Sequence, residues 1–489
     1  MLRASLKQIT ILFTLLLFCS EVGAEYFTIG NYRYTILDAE ARTVSIKRDP
    51  SISTTTLTTI EIPDEVTNTN TGITYRITKI ADGGFDECTK VANELLTIGS
   101  NVEEIGTNAF KQCKFRNVVI PASVTSVGTS AFSANSSLRT VTFNASSNIT
   151  NISANVFDGC KRLHTIILPP KLIELSSGLF KACDSLEILT IPASVHTVKA
   201  DVFDGKRYKP ITITYEGAEA PYLAAAFTNF SAGVAGINVL SSAAKASFGA
   251  SSTWKTSLGN DENKIKVVPL EVSEAVDNSA MLGHHNTHTA DVNLTRTIRH
   301  ESYNALCLPF ALSAEQVTSV FGADCDIEEL TSASISDAGI DLQFTKVTSM
   351  AAGKPYLVRP KTTTENPGFT NVVLTDEVAS TSLTDVDFIG VFSPTAMTAN
   401  ENILLLGAGN TLFPTDDGTL NGLRGYFVLK SSKAQAAAKK QARVVMNSGG
   451  GTALEYATHA PNVTKRIING ELIITRGGVQ YNACGARVR

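Results

Sequence analysis

Tryptophan occurs once and methionine five times in 489 residues, and charged side chains make up only 18% of the chain. An average domain carries roughly 25% charge. The net charge is −4, and the one basic doublet of note is Lys439-Lys440. Partners held by electrostatic attraction, such as nucleic acid or an anionic membrane surface, therefore have little to bind. The eight cysteines include no Cys-x-x-Cys pair, which argues against a thiolate zinc site. No Gly-x-Ser-x-Gly elbow is present, and Gly407-Ala408-Gly409-Asn410 is flanked like a hairpin, unlike a phosphate loop between strand and helix. Asp324, Asp326, Glu328 and Glu329, like Asp416-Asp417-Gly418, lack the ligand spacing of a calcium loop and read as solvated turns. These gaps leave no visible basis for an enzyme, and no catalytic residue, cofactor or metal is expected.

What is present is a repeat. Phenylalanine recurs at Phe85, Phe110, Phe132, Phe157, Phe180 and Phe203, at intervals of 25, 22, 25, 23 and 23 residues. Self-similarity at this period marks a stacked-coil solenoid. Five residues before each ring sits an aliphatic: Ile80, Ile105, Val127, Ile152, Leu175 and Val198. Three before that, another recurs at Val102, Val124, Ile149, Leu172 and Val195. Three residues after the ring come Cys88, Cys113, Cys160 and Cys183, with Asn135 and Lys206 at the same position in the third and last units. Leu138, Leu163 and Leu186 follow, and a strand-like trio such as Leu186-Leu189-Ile191 leads into Pro121, Pro169 or Pro192, each 11 residues before its ring. One unit cannot bury its apolar side alone, so the rings and aliphatics must stack on the next unit. Proline after the trio suits a corner, since it removes a backbone donor.

The unit Ile-Pro-x-x-Val-x-x-Ile-Gly-x-x-Ala-Phe-x-x-Cys, nearly intact over Ile120 to Phe132 and Val102 to Cys113, resembles the BspA-like leucine-rich repeat of bacterial, Bacteroidetes-type cell-surface proteins. The resemblance implies a leucine-rich-repeat solenoid of strand-rich coils, followed here by a C-terminal all-β domain, on a secreted or surface-attached protein. It further implies adhesion or protein contact, and it brings no catalytic residues.

In chain order, residues 1–24 read as a signal peptide: Arg3 and Lys7, the apolar run Ile9 to Phe18, then Val22-Gly23-Ala24 before a cleavage point. Lipidation at Cys19 is the competing reading, although Phe18 stands where such signals carry a small residue. Residues 25–56 alternate as an N-terminal hairpin cap, and residues 57–258 form the solenoid with its terminal cap, in which Phe248 and Trp254 pack. A Thr- and Asn-rich insertion, Thr67 to Tyr75, interrupts the first unit as a surface loop. Residues 259–289 read as a linker, and 290–489 as a β-rich domain of sandwich type built from short apolar runs, ending in the hairpin signal Asn469-Gly470. Asn304 to Phe310, Gly353 to Val358 and Tyr481-Asn482-Ala483 resemble the C-terminal region of Bacteroidetes-type secreted repeat proteins.

Cys88, Cys113, Cys160 and Cys183 read as a buried ladder of free thiols, with neighbour-to-neighbour disulfides as the alternative. Cys307 and Cys325 are candidates for a bridge, and Cys484 has no evident partner. His284, His285, His288 and His300 cluster in sequence, but Gly283 and Asn286 argue for a solvated loop over a metal site. The outward positions Arg139, Thr140, Lys161, Arg162, His164, Glu187 and Thr190 are the candidate binding residues. The functional expectation is a secreted, non-enzymatic scaffold contacting an extracellular protein or a glycan, with membrane contact only through an anchor. The alternatives are a structural envelope component without a dedicated ligand and, behind it, an enzyme with its site in the C-terminal half. The oligomeric state is open.

Overall fold

The structure is a computed structural model; it describes residues 25–199, 201–204, 209–225, 227, 233–407 and 412–446, and the backbone of 463–468, 471–476, 479–481 and 487–488. The signal segment with Cys19, and also Lys206, Phe230 and Cys484, lie outside these residues. The chain divides into two units, Met1–Val239 with Ala244–Lys266, and Leu240–Ala243 with Val267–Arg489.

In the first unit each repeat is one coil, and most coils carry two short strands; the coil with Ile149 and Ile152 has none at the first position. One set, Thr74–Ile80, Glu104–Ile105 and Ser126–Val127, pairs in parallel with Ile80, Ile105 and Val127 in register. The same position continues at Leu175, Val198 and Leu223. The other set, Leu95–Thr97, Asn117–Ile120, Thr140–Phe143 and Thr165–Ile167, is likewise parallel. Ile188–Ile191, Ile211–Tyr215 and Val234–Val239 continue it. Parallel pairing follows from the repeat, because each coil places the same residue about 4.8 Å further along the stack. The prolines stand at the corner after the second strand, where Val124, Leu172 and Val195 donate to the carbonyls of Pro121, Pro169 and Pro192.

The rings between the strands form a continuous ladder. Centroids of Phe85, Phe110, Phe132, Phe157, Phe180 and Phe203 are 5.5, 5.4, 5.9, 6.1 and 6.1 Å apart in turn, with planes within 18° of parallel. All six rings are fully buried. Such pairs contribute about 0.5–1.5 kcal/mol each beyond the area they bury. Ile77 completes the column of Val102, Val124, Ile149, Leu172 and Val195, and all six are fully buried.

The polypeptide rounds the first five rings through a pair of left-handed residues that the spacing did not announce. Two positions before the ring, Gly83, Asn108, Ser130, Asn155 and Gly178 have φ between 54° and 63°. Two positions after it, Glu87, Gln112, Ala134, Gly159 and Ala182 have φ between 52° and 74°. Only some of these are the glycine or asparagine that favours this region. The cost is met by coil-to-coil bonds: the amides of Phe85, Phe110, Phe132, Phe157 and Phe180 donate to the carbonyls of Ala109, Ala131, Val156, Leu179 and Val202. Gly106 and Gly128 permit the approach, since a Cβ at either would lie 2.7 Å or less from backbone atoms of the coil before.

Both ends of the ladder are closed by edge-on aromatics. The cap Tyr26–Ile29, Tyr32–Asp38 and Thr43–Arg48 is an antiparallel meander whose last strand pairs in parallel with Thr74–Ile80. Tyr32 meets Phe85 edge-on at 6.0 Å. At the other end Phe227 meets Phe203 at 5.4 Å and Trp254 at 5.7 Å. Trp254 is fully buried and its indole N–H donates to the Pro221 carbonyl at 2.8 Å. The insertion folds back as a hairpin, Glu65–Thr67 against Thr74–Ile80.

The second unit is strand-rich but not all-β: helices Ala314–Phe321 and Ser432–Lys440 place Val317, Phe321, Ala434 and Ala437 in its cores. Ser313 starts the first of them with a reciprocal capping box to Gln316, a local signal that strand periodicity overlooks. Two five-stranded sheets, one containing Phe344 and one containing Phe388 and Phe427, contribute to one apolar core. Phe388 and Phe427 stack at 4.4 Å with Phe344 edge-on to both. The expected linker 259–289 is also ordered. Leu270–Ser273 pairs in parallel with Thr289–Thr295, and Val272 and Leu282 are buried in a second core. Two short apolar anchors suffice to fold a segment whose composition is otherwise polar. The run from Asp326 to Glu329 is strand and not turn, with Glu328 fully buried. At the C-terminal end, Val463–Ile468 and Glu471–Arg476 pair antiparallel, and the expected turn Asn469-Gly470 lies outside the described residues.

Candidate functional site

The outward side of the second strand set is the surface the repeat builds most regularly. Strand alternation buries Leu96, Val118, Val141, Ile166 and Leu189 and turns their neighbours to solvent. Register aligns Leu95, Asn117, Thr140 and Thr165 in one column and Thr97, Val119 and Thr142 in the next, where Ile167 continues it. Ile188 and Thr190 occupy the same positions one coil further on. Leu95, Val119, Ile167 and Ile188 are 47%, 43%, 54% and 63% exposed, high values for side chains of this size. Threonines separate them, and Thr140 donates to the Asn117 side chain at 2.6 Å.

Charge is confined to the border of these columns. Arg116 pairs with Glu94 at 2.8 Å, and Lys209 pairs with Glu187. Arg139 and His164 stand in the same border, exposed, and the His164 ring Nδ1 lies 3.3 Å from the Arg162 carbonyl. Lys161 and Arg162 are exposed on the preceding turn. All seven sequence candidates thus reach solvent, but they divide: Thr140 and Thr190 lie on the columns, while Arg139, His164 and Glu187 edge them and Lys161 and Arg162 lie outside. Leu95, Val119, Thr142, Ile167 and Ile188 were missed. The period-two alternation within each strand trio could have found them.

The interior offers no reactive thiol. Cys113, Cys160 and Cys183 donate to the carbonyls of Phe85, Phe132 and Phe157, at 3.3, 3.2 and 3.1 Å. Asn135 donates to the Phe110 carbonyl at 2.8 Å in the same way. The repeated requirement is therefore a buried donor to the ring residue of the coil before, which explains why asparagine and cysteine share the position. All six described cysteines are free and buried, including Cys307 and Cys325. Burial pushes the Cys160 and Cys307 thiols up to about 12 and raises Cys88 and Cys113. Cys160 points inward while His164 is exposed, so the two form no dyad.

The histidines behave differently from the expected loop. Ser279–His284 is a helix capped by His285, and the rings of His284, His285 and His288 gather within 4.6 to 6.4 Å of one another. Burial, with the neighbouring His284 and His288 adding to it, lowers the His285 pKa to about 4. His300 lies apart, its Nδ1 2.8 Å from the Thr363 hydroxyl.

Residues 78–209 match the family model of the BspA type leucine rich repeat region in six copies. Among solved structures, the chain is similar to a leucine-rich repeat protein from Bacteroides ovatus, at 18% identity over 44% of this chain and 70% of that one, with a TM-score of 0.23. It is also similar to a leucine rich cell surface protein from Faecalibacterium prausnitzii, at 16% identity over 47% and 98% of the two chains, with a TM-score of 0.22. A third is the leucine rich repeat protein of T. pallidum, at 14% identity over 42% and 90%, with a TM-score of 0.24. No curated protein matches. Among the described residues no helix is long and apolar enough to cross a membrane.

Proposed function

Because residues 78–209 are BspA-type leucine-rich repeats, we propose that this chain is a secreted or surface-exposed, non-enzymatic scaffold that binds an extracellular protein through the outward columns of its second strand set. The observation that carries this reading is the group of exposed aliphatics, Leu95 and Ile188 in one column and Val119 and Ile167 in the next, set among threonines. Exposed apolar groups rimmed by charge are the usual composition of a protein contact. A glycan is the less fitting partner, since the columns carry no aromatic platform. Export through the N-terminal segment belongs to the same proposal, and a leucine rich cell surface protein among the similar structures is in keeping with it.

The test is a screen of the full chain against extracellular proteins and glycans, followed by remeasurement of the best binder with I167D/I188D and with R139E/E187K. The column pair should weaken binding about tenfold or more and the border pair less, with thermal stability nearly unchanged. Binding that survives both pairs would remove this face from consideration. A glycan as the only binder would replace the protein partner.

A further inference from the structure

Side-chain size and charge follow an order along the contact face that its own reverse complements. Counted by their second strands, six coils run from Leu95–Thr97 to Ile211–Tyr215. In one column the aliphatics are Leu95 in the first coil and Ile188 in the fifth; in the other they are Val119 in the second and Ile167 in the fourth. Every other position of the two columns is threonine, save Asn117 in the second coil. The border carries Glu94 paired with Arg116 at its start, Arg139 and His164 in the middle, and Glu187 paired with Lys209 at its end.

A two-fold axis lying in the face, parallel to the strands and between the third and fourth coils, sets first against sixth, second against fifth and third against fourth. It also keeps border against border. Leu95 then meets the partner's Thr212, Asn117 meets the partner's Ile188, Val119 meets the partner's Thr190, and Ile167 meets the partner's Thr142. No aliphatic is opposed by another, so each large side chain enters the space over a small one, as sheets packed about 10 Å apart must do to interdigitate. On the border Arg116 meets the partner's Glu187 and Glu94 meets the partner's Lys209, each twice by symmetry, while Arg139 faces the partner's His164. A two-fold along the stack of coils would also oppose large to small, but it would turn the border toward the far edge of the columns. There Ile98, Ile120, Phe143, Leu168 and Ile191 follow, all buried, and offer no charge. Charge therefore selects the antiparallel arrangement, since rim charges fix register more than affinity.

We infer that the protein this face takes is a second copy of the same chain, bound face to face with its coils antiparallel; the inference rests on the contact face proposed above and names its partner. Six coils at about 4.8 Å put the outer strands roughly 24 Å apart. That is small for a permanent interface, so the dimer should be reversible and depend on concentration.

The experiment is sedimentation velocity of the full chain over a concentration series, alongside I167D/I188D, R116E, E187R and an equimolar mixture of R116E with E187R. A reversible dimer is expected, its dissociation constant raised about tenfold or more by I167D/I188D. R116E and E187R should each weaken it, because like charges then meet at both copies of the contact. Their mixture should recover the dimer, because opposite charges meet again in the mixed pair. Monomer at every concentration up to about 1 mM would overturn self-pairing while leaving a foreign protein found by the screen as the partner. A dimer unmoved by I167D/I188D, or a mixture no better than its components, would overturn it by placing the contact on another surface or in another register. The contact face itself fails only if I167D/I188D spares the foreign binder as well.

Discussion

The two units solve the same problem in opposite ways. In the repeat unit the core groups recur from coil to coil, so one arrangement serves repeatedly: ring on ring five times and side-chain donor to ring-residue carbonyl four times. In the second unit Phe344, Phe388 and Phe427 meet once, brought together from strands far apart in the chain. The first design spreads stability along a line and the second concentrates it in particular contacts. Repeat stability is accordingly a sum of neighbour interfaces, and a defect should be felt on both sides of it.

That contrast is testable because the single tryptophan, Trp254, lies in the repeat unit and reports on it alone. Phe157→Ala should cost about 3–5 kcal/mol and shift the urea transition seen by tryptophan fluorescence. Phe388→Ala should lose a similar amount in the transition seen by circular dichroism while leaving the fluorescence midpoint in place. If both substitutions move the fluorescence midpoint equally, the two units do not unfold separately.

A smaller effect isolates the donor position. Asn135→Leu leaves the Phe110 carbonyl without its side-chain donor and should cost about 1–3 kcal/mol, whereas Asn135→Cys, the residue of the neighbouring coils, should be nearly neutral by the same fluorescence assay. Equal losses would show that volume, and not the hydrogen bond, selects the residue.

Alkali gives a third handle. The folded state holds Cys160 protonated up to about 12 against an ordinary value of 9.0. Stability from this thiol is therefore fully present below pH 9 and is lost as pH rises toward 12, because only the unfolded chain releases the proton there. Cys160→Ala should flatten that decline in urea titrations between these limits. On the same grounds the six described cysteines should resist thiol reagents near pH 8 in the native chain and react once it unfolds. Labelling of Cys88, Cys113, Cys160 or Cys183 in the native chain would contradict the burial. The smallest change expected is for Thr165→Ala on the exposed column, within roughly 0.5 kcal/mol; a larger loss would mean that the face contributes to the fold as well as to contact.

Much of the repeat unit is legible in the residues themselves because its physics is local and repeated. The interval between phenylalanines specifies coil length, the aliphatics before them specify the inward strand positions, and Pro121, Pro169 and Pro192 mark the corners. Ile77 stands eight residues before Phe85, the same spacing as Val102 before Phe110, so the interval alone could have found it. The left-handed residues around each ring were not visible, since Glu87, Gln112, Ala134 and Ala182 have no intrinsic preference for that conformation; coil-to-coil hydrogen bonds impose it.

The second unit reads less completely. Its strands announce themselves through short apolar runs, but their partners do not, because pairing between segments such as Gly339–Lys346 and Ala442–Met446 leaves no periodic trace. Polar stretches misled for the same reason: Glu328 and the helix before His285 lie in segments whose composition looks solvated, yet a few buried neighbours fold them. Residue order alone was enough to establish that a ladder of rings exists, since each rung repeats the last. Three-dimensional packing was needed to bring Phe344 against Phe388 and Phe427 and to set threonine columns beside exposed isoleucine, because such contacts depend on where distant backbone runs and not on which residue follows which.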